Sequence, residues 1–185
     1  MTVMVVLDAK QDLNEVLMPR RLTRRELIGL TIVHSDNNAA KLLCDNYPGG
    51  PHDCIQVMNL KASELGMHES KFIEPTGLSV FNVSTAQDLV KLVLAASKYS
   101  IINEDSNKNV IRIPANKKKP TQFHNTNSLV GQYDFKVSKT GWINKSGGCI
   151  VMMIDTNNSQ KIVVLLGSKN THTRIPEAKM IALAY

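Results

Sequence analysis

The apolar residues of this chain change their period partway along, and that change narrows the folds open to it. Up to about residue 100 they recur in helical stripes opened by capping signals; beyond about residue 130 they come as short alternating or continuous runs. Thr23-Arg24-Arg25-Glu26 is a capping box, in which Thr23 can accept from the Glu26 amide while Glu26 reaches back. Leu27, Ile28, Leu30 and Ile32 then supply a buried stripe. After a break at His34-Ser35, a helix runs through Ala39, Ala40, Leu42 and Leu43 to the Pro48-Gly49-Gly50 turn. Another spans about Pro51 to Leu65, with Pro51 near its first position and Gly66 as its stop. Ser84-Thr85-Ala86-Gln87 reads as a second capping box, opening a helix through Leu89, Leu92, Val93 and Ala96. The first ten residues, with Val3, Val5, Val6 and Leu7 apolar nearly all round, read as the continuation of a helix whose start is missing.

The later part has strand character. Phe135 to Lys139 alternates, and Cys149 to Ile154 and Ile162 to Leu166 are short apolar runs suited to central strands. Asn157-Asn158-Ser159 between them reads as a hairpin turn. Residues 67 to 83 are irregular, and residues 100 to 128 are polar with one candidate strand at Val110 to Ile113. Pro176 to Tyr185 closes the chain as a short helix. Helices first and an antiparallel meander later predict an α+β fold.

Charge limits the partners. The net charge is +6, concentrated at Arg20, Arg21, Arg24 and Arg25 and at Lys117, Lys118 and Lys119. Aromatic residues are 5% of the chain and do not interleave with these runs, so no nucleic-acid stacking surface is expected and the basic runs read as solvated loops. No apolar run approaches the roughly 18 residues of a membrane span, and the opening segment lacks the basic start and cleavage site of a signal peptide. Histidines are dispersed and cysteines lack metal spacing, so neither a metal nor a cofactor is expected. Cys44 and Cys54 flank the Tyr47-Pro48-Gly49-Gly50 turn and could approach each other, but read as two buried thiols.

Two tripeptides carry the chemistry: Ser35-Asp36-Asn37 at a helix start and Lys139-Thr140-Gly141 on the first strand of the meander. S-D-N and K-T-G, with S-x-x-K, mark class A β-lactamases and penicillin-binding proteins. The flanking strings SDNNAAKLL, ASELGM, FIEPTGLSVFNVSTAQDLVKL, NTNSLVG and SKTGW with its following SGGC resemble the low-molecular-weight D-Ala-D-Ala carboxypeptidases and endopeptidases along essentially the whole chain. The endopeptidase branch fits best, through the YPGG turn and the EPTGLS loop.

That resemblance implies a β-lactamase-like architecture, an antiparallel sheet flanked by helices with a mainly helical half. It makes the chain a single, incomplete domain, helical over about 1–100 and sheet over about 130–185. It implies serine-type hydrolysis of peptidoglycan peptides through an acyl-enzyme, β-lactams as substrate mimics, and a periplasmic setting. Ser35 would relay a proton toward the leaving group, and Asn37 would orient the lysine base and the substrate amide. Lys139 would set a cation beside the substrate carboxylate, Thr140 would donate to that carboxylate, and Gly141 would leave room for a substrate strand.

Plainer roles stand beside these. Ser35 or Asp36 could be a helix cap, and Lys139 an edge-strand lysine. Glu74 reads as structural, His34 as a packing or hydrogen-bonding residue, and Ser138 should point away from Lys139.

The nucleophile is missing. No S-x-x-K occurs at the front of the chain, and by the resemblance its serine would fall before Met1. The two N-terminal strands of the sheet are absent too, and Leu17 to Thr23 looks short by a segment of about twenty residues on that comparison. An apolar sheet edge open to self-association and a loss of catalysis are the expected consequences. A truncated reading frame is the leading account; omitted residues, or a relative that binds without cleaving, are the others. A non-catalytic peptidoglycan- or partner-binding module is the second functional reading, and a β-lactamase the third.

Overall fold

The computed structural model describes residues 1–115, 118–156 and 159–184. Lys117, the Asn157-Asn158 turn and Tyr185, all named above, lie outside the described residues.

Local signals place the helical half. After α1 (Thr2–Asp8) and the short pair β1 (Val16–Leu17) and β2 (Leu22–Thr23), the Thr23 capping box opens α2 (Arg24–Gly29). Its two reciprocal bonds measure 3.1 Å to the Glu26 amide and 2.7 Å from the Thr23 amide. The helix widens into a π-type turn over Leu30–His34 and breaks at Ser35, whose φ of 58° is left-handed. Asp36 then caps α3 (Asn37–Asp45), and α4 (Gly50–Glu64) follows the Pro48-Gly49-Gly50 turn. Met4, Leu27, Ile28, Leu30 and Leu43 are all but inaccessible in the core these helices share. At about 1.5–3 kcal/mol for each such side chain, this burial and not helix propensity holds the short helices together.

Three expectations need correction here. Cys44 and Cys54 are not free thiols but a disulfide, with Cα atoms 5.5 Å apart. The turn between α3 and α4 folds the two helices back on each other, which brings the pair together beside buried Val5 and Met58. The arginine run is not a solvated loop either: Arg24 is 0% exposed and pairs with Glu15, Arg25 grips Asp105, and Arg20 pairs with Asp36. The second capping signal acts one residue later than predicted. Thr85, not Ser84, caps α5 (Ala86–Ala96), because the Ser84 hydroxyl is engaged with Ser70.

The polar stretch from 100 to 128 holds more structure than its composition predicts. It forms α6 (Ser100–Ser106) and a hairpin of β3 (Val110–Ala115) with β4 (Lys118–His124). Buried Asp105 is what hides α6 from a pattern search. It occupies a core position that would read as polar, yet it takes both Arg25 nitrogens, at 2.7 and 2.8 Å, and Lys108.

β5 (Asp134–Ile143), β6 (Gly147–Thr156) and β7 (Ser159–Ser168) form an antiparallel sheet in that order. One face sets Val137 and Met153 into the core shared with the helical half. The other sets Phe135, Ile150, Met152 and Val163 against α7 (Arg174–Ala184), through Ala178 and Ala182. β5 is therefore an edge strand facing the helical half. The outer edge of β7 carries no strand among the described residues, and Leu166 beside it is 42% exposed.

Candidate active site

The Ser35-Asp36-Asn37 segment owes its shape to a division of labour between adjacent residues. Asp36 takes the capping role, accepting the Ala39 amide at 2.9 Å, and its other oxygen receives Arg20 Nη1 at 2.7 Å. Burial works to raise the Asp36 pKa, but the bonds from Arg20 and the helix amides outweigh it and hold the carboxyl below its ordinary range. With the cap supplied by its neighbour, Ser35 is left free, and its left-handed backbone turns the hydroxyl toward the sheet. Asn37 opens the helix beside it.

Lys139 reaches Ser35 from β5. Its Nζ donates to Ser35 Oγ at 2.5 Å and to the Thr140 carbonyl at 2.7 Å. No carboxylate pairs with it among the described residues. Burial, with repulsion from the Arg174 guanidinium adding to it, pushes the Lys139 pKa down to about 7. Such an amine can hold or release a proton near neutrality, and the Ser35 hydroxyl is its direct partner.

The other two KTG residues face differently. Thr140 is 5% exposed and shares a 2.6 Å hydrogen bond with the Thr126 hydroxyl, so it meets the loop after β4 and does not line the cleft. Gly141 lies on the edge strand, and its carbonyl accepts Arg174 Nη1 at 2.6 Å. Arg174 is the residue that sequence reasoning missed. It is 8% exposed, pairs with no acid among the described residues, and its Nε is unpartnered. One faint signal was available: a cation at the first position of a helix stands at the unfavourable end of the dipole.

Ser35, Asn37 and Lys139 line one cleft of about 1070 Å³, open to solvent. The first turn of α1, from Met1 to Met4, lines it as well, and so does the loop from Glu74 to Gly77. Thr2 joins these two walls, donating to the Pro75 carbonyl at 2.8 Å. Glu74 is the pin of its loop. Its carboxylate accepts the amides of Thr76, Gly77 and Ser79, the Thr76 hydroxyl and the Asn82 amide group. Burial opposes ionisation there, but these donors, the Thr76 hydroxyl foremost, keep the Glu74 pKa low. His34 packs edge-on against Phe123 and bonds the His124 carbonyl, outside the cleft chemistry. Ser138 points away from Lys139, its hydroxyl accepting from Asn127 at 2.9 Å. Among the described residues no group of three or more His, Cys, Asp or Glu side chains could hold a metal ion.

Comparisons with known proteins show which family and fold the chain shares. A D-alanyl-D-alanine endopeptidase of Escherichia coli is 35% identical over 202 aligned positions, which cover 98% of this chain and 65% of that protein. One from Pseudomonas aeruginosa is 35% identical over 199 positions, covering 96% and 64%. The chain thus spans just under two thirds of the length of these relatives. Both alignments run longer than the chain's 185 residues, so they pass over positions that have no counterpart here. The fold is that of a Listeria monocytogenes penicillin-binding protein in its ampicillin-bound form, with a TM-score of 0.85 and 24% identity over 98% of this chain and 82% of that one. A D-alanyl-D-alanine carboxypeptidase of Mycobacterium tuberculosis has a TM-score of 0.79 and 20% identity over 97% and 78%. Residues 1–170 match the sequence profile described as D-alanyl-D-alanine carboxypeptidase, and this chain belongs to that family.

Proposed function

We propose that the cleft is the substrate-binding and proton-handling part of a serine D-alanyl-D-alanine endopeptidase or carboxypeptidase that hydrolyses peptidoglycan peptides through an acyl-enzyme. The observation that carries this reading is the 2.5 Å contact between Lys139 Nζ and Ser35 Oγ, made across the junction of the helical half and the sheet edge. In acyl transfer a serine oxygen attacks the D-Ala carbonyl and the amine that leaves must be protonated. Ser35, touching an amine that titrates near neutrality, is suited to hand on that proton. Asn37 would orient the substrate amide, and Gly141 on the sheet edge would let the peptide lie as an added strand. Lys139 would attract the terminal carboxylate. Thr140 would donate to it only after releasing Thr126, so Arg174, one bond from the Gly141 carbonyl, is a better-placed second cation.

The attacking serine and its lysine are not among these 185 residues, which contain no S-x-x-K. Acting alone, the chain is therefore proposed to bind and not to acylate. That same sequence fact favours a second reading, a non-catalytic module that holds wall peptides. Under either reading the chain forms one domain, helical over about 1–100 and sheet over about 130–185, with β-lactams as mimics of the peptide and self-association possible through the outer edge of β7. The Cys44–Cys54 disulfide favours an oxidising compartment, in keeping with a periplasmic setting.

Intact-mass analysis after incubation with a fluorescent penicillin tests the proposal. No adduct is expected, together with saturable non-covalent binding of a D-Ala-D-Ala peptide. One penicillin bonded per chain would overturn the claim that this chain lacks a nucleophile, and rapid turnover of nitrocefin would point to a β-lactamase. A folded sample that binds no D-Ala-D-Ala peptide would remove the reading altogether.

A further inference from the structure

The Ser35–Lys139 contact joins two elements that share no other hydrogen bond: among the described residues, none besides it runs between β5 and the segment from Leu30 to Asn37. A third segment, the end of β4 and the loop after it, bonds both. On one side the Thr126 amide donates to the Val33 carbonyl at 3.0 Å, and His34 Nδ1 donates to the His124 carbonyl at 3.0 Å. The two residues before Ser35 are thereby held. On the other side the Thr126 hydroxyl shares its 2.6 Å bond with Thr140, and Asn127 Nδ2 donates to the Ser138 hydroxyl at 2.9 Å. The residues before and after Lys139 are held in turn. Successive side chains of a strand point to opposite faces, so gripping Ser138 and Thr140 on one face fixes the direction in which Lys139 leaves the other. The loop is itself anchored, since Asn125 donates from its amide to the Asn109 carbonyl and from its side chain to the Lys108 carbonyl, both at 2.9 Å.

We propose that the segment from His124 to Asn127 is a clamp that sets the spacing of Ser35 and Lys139, with Thr126 as its positioning residue. The inference rests on the peptidase reading of the cleft and adds a residue outside the cleft on which that site depends. Thr126 does not line the cleft, yet it bonds both motif-bearing elements, one through its amide and the other through its hydroxyl. A hydrogen bond weakens steeply as its length and angle depart from the normal range, so the Ser35–Lys139 contact tolerates little sliding of β5 against the turn before Ser35. The same closure keeps water from the Lys139 amine. A displacement of about 1 Å made at a distance from the reacting groups is enough to cost on the order of 100-fold in rate.

Two substitutions test this. Thr126→Val keeps the shape of the side chain and the amide bond to Val33 but deletes the hydroxyl, and Thr126→Ser restores it. In both variants and the unaltered chain, nitrogen NMR follows the Lys139 Nζ against pH, and diacetyl-lysyl-D-Ala-D-Ala is titrated for its Kd. In Thr126→Val, Lys139 is expected to titrate above its buried value of about 7, toward the ordinary 10.5. The same variant is expected to bind the peptide about tenfold more weakly. Thr126→Ser is expected to return both quantities to those of the unaltered chain. A Thr126→Val protein that loses stability to urea while its lysine titration and Kd stay unmoved would make the bond merely structural and overturn the clamp. Tighter peptide binding with an unmoved titration would make Thr126 a lock on Thr140, and failure of Thr126→Ser to restore either quantity would show that the hydroxyl bond is not what acts; each overturns the proposal. If no protein binds the peptide but the lysine titration shifts and is rescued as expected, the cleft reading fails and the clamp stands.

Discussion

Arg20 donates to the carboxylate of Asp36 at 2.7 Å, so the turn between β1 and β2 is latched to the cap of the helix that begins with Asn37. The same carboxylate closes the α3 amide end through Ala39. One acid thus fixes both the direction of α3 and the left-handed bend that presents Ser35 to Lys139. Both partners are mostly shielded, with side chains 29% and 14% exposed, so the pair is worth more than a surface ion pair. Arg20→Ala is expected to cost about 1 kcal/mol, and Asp36→Ala, which removes cap and pair together, about 2–3 kcal/mol. Urea unfolding of the three proteins measures both; equal and negligible losses would show that the latch is not formed in solution.

Two of the four carboxylates held low, Asp36 and Glu74, border the cleft and shape the acid side of the stability profile together with Asp88 and Glu104. Asp36 and Glu74 are both held below their ordinary pKa, each by donors that outweigh the opposing effect of burial. A carboxylate with a lowered folded pKa binds fewer protons folded than unfolded, so its contribution is full above the unfolded pKa and is lost as pH falls through the folded one. Stability is therefore expected to be flat near neutrality and to fall once pH drops below the usual carboxylate range. Asp36→Asn and Glu74→Gln should each start less stable and fall less steeply. Parallel acid slopes for all three proteins in urea titrations would refute the assignment.

How much of this was readable in advance depended on how local each cause is. The Thr23–Glu26 box closes within four residues, and it acts where the sequence places it. The alternation from Phe135 to Lys139 marks β5 as a strand, but a register shift between Phe135 and Val137 turns these two apolar residues to opposite faces of the sheet. The Ser84 signal slipped by one residue because a partner fourteen positions away holds its hydroxyl, and local propensity knows nothing of that partner. Asp105 disguised α6 because a buried acid is tolerable only when Arg25 comes to meet it from another helix. In the cleft, Ser35 and Lys139 were legible as motifs, but their contact spans 104 positions. Arg174 could be recognised only once α7 had brought it across Gly148 to the Gly141 carbonyl.

The disulfide offers a third test. Cys44 and Cys54 are ten residues apart and fully buried where α3, α4 and α1 meet. Closing a loop of that length removes unfolded-state entropy worth about 2–3 kcal/mol. Cys44→Ala with Cys54→Ala is expected to lower stability by at least this amount, and reduction under denaturing conditions should slow recovery of the fold. Thermal melts with and without reductant give the measurement. Unchanged melting after verified reduction would mean that packing alone holds the α3–α4 corner.

Lys139 gives the clearest prediction for the site itself. Its folded pKa is pushed down to about 7 by burial, with Arg174 adding repulsion, whereas in the unfolded chain it returns to the ordinary lysine value near 10.5. Between these two values the unfolded chain holds a proton that the folded chain has released, so stability must rise with pH across that window. Below about 7 both states are protonated, and the full cost of a buried, unpaired cation is present. Lys139→Met removes that cost, so the variant should be the more stable protein near and below neutrality. Its advantage should shrink steadily toward pH 10, because the native amine has by then shed its charge. The difference in urea midpoint between the two proteins, taken from pH 8 to pH 10, follows this group above the range in which the Met1 amine, itself lowered by burial and by Lys139, titrates. A pH-independent difference would mean that Lys139 keeps its ordinary pKa and is not poised to exchange a proton with Ser35. If the variant is stabilised and also loses affinity for a D-Ala-D-Ala peptide, the buried charge is retained for binding at the expense of stability, as expected of a residue kept for function.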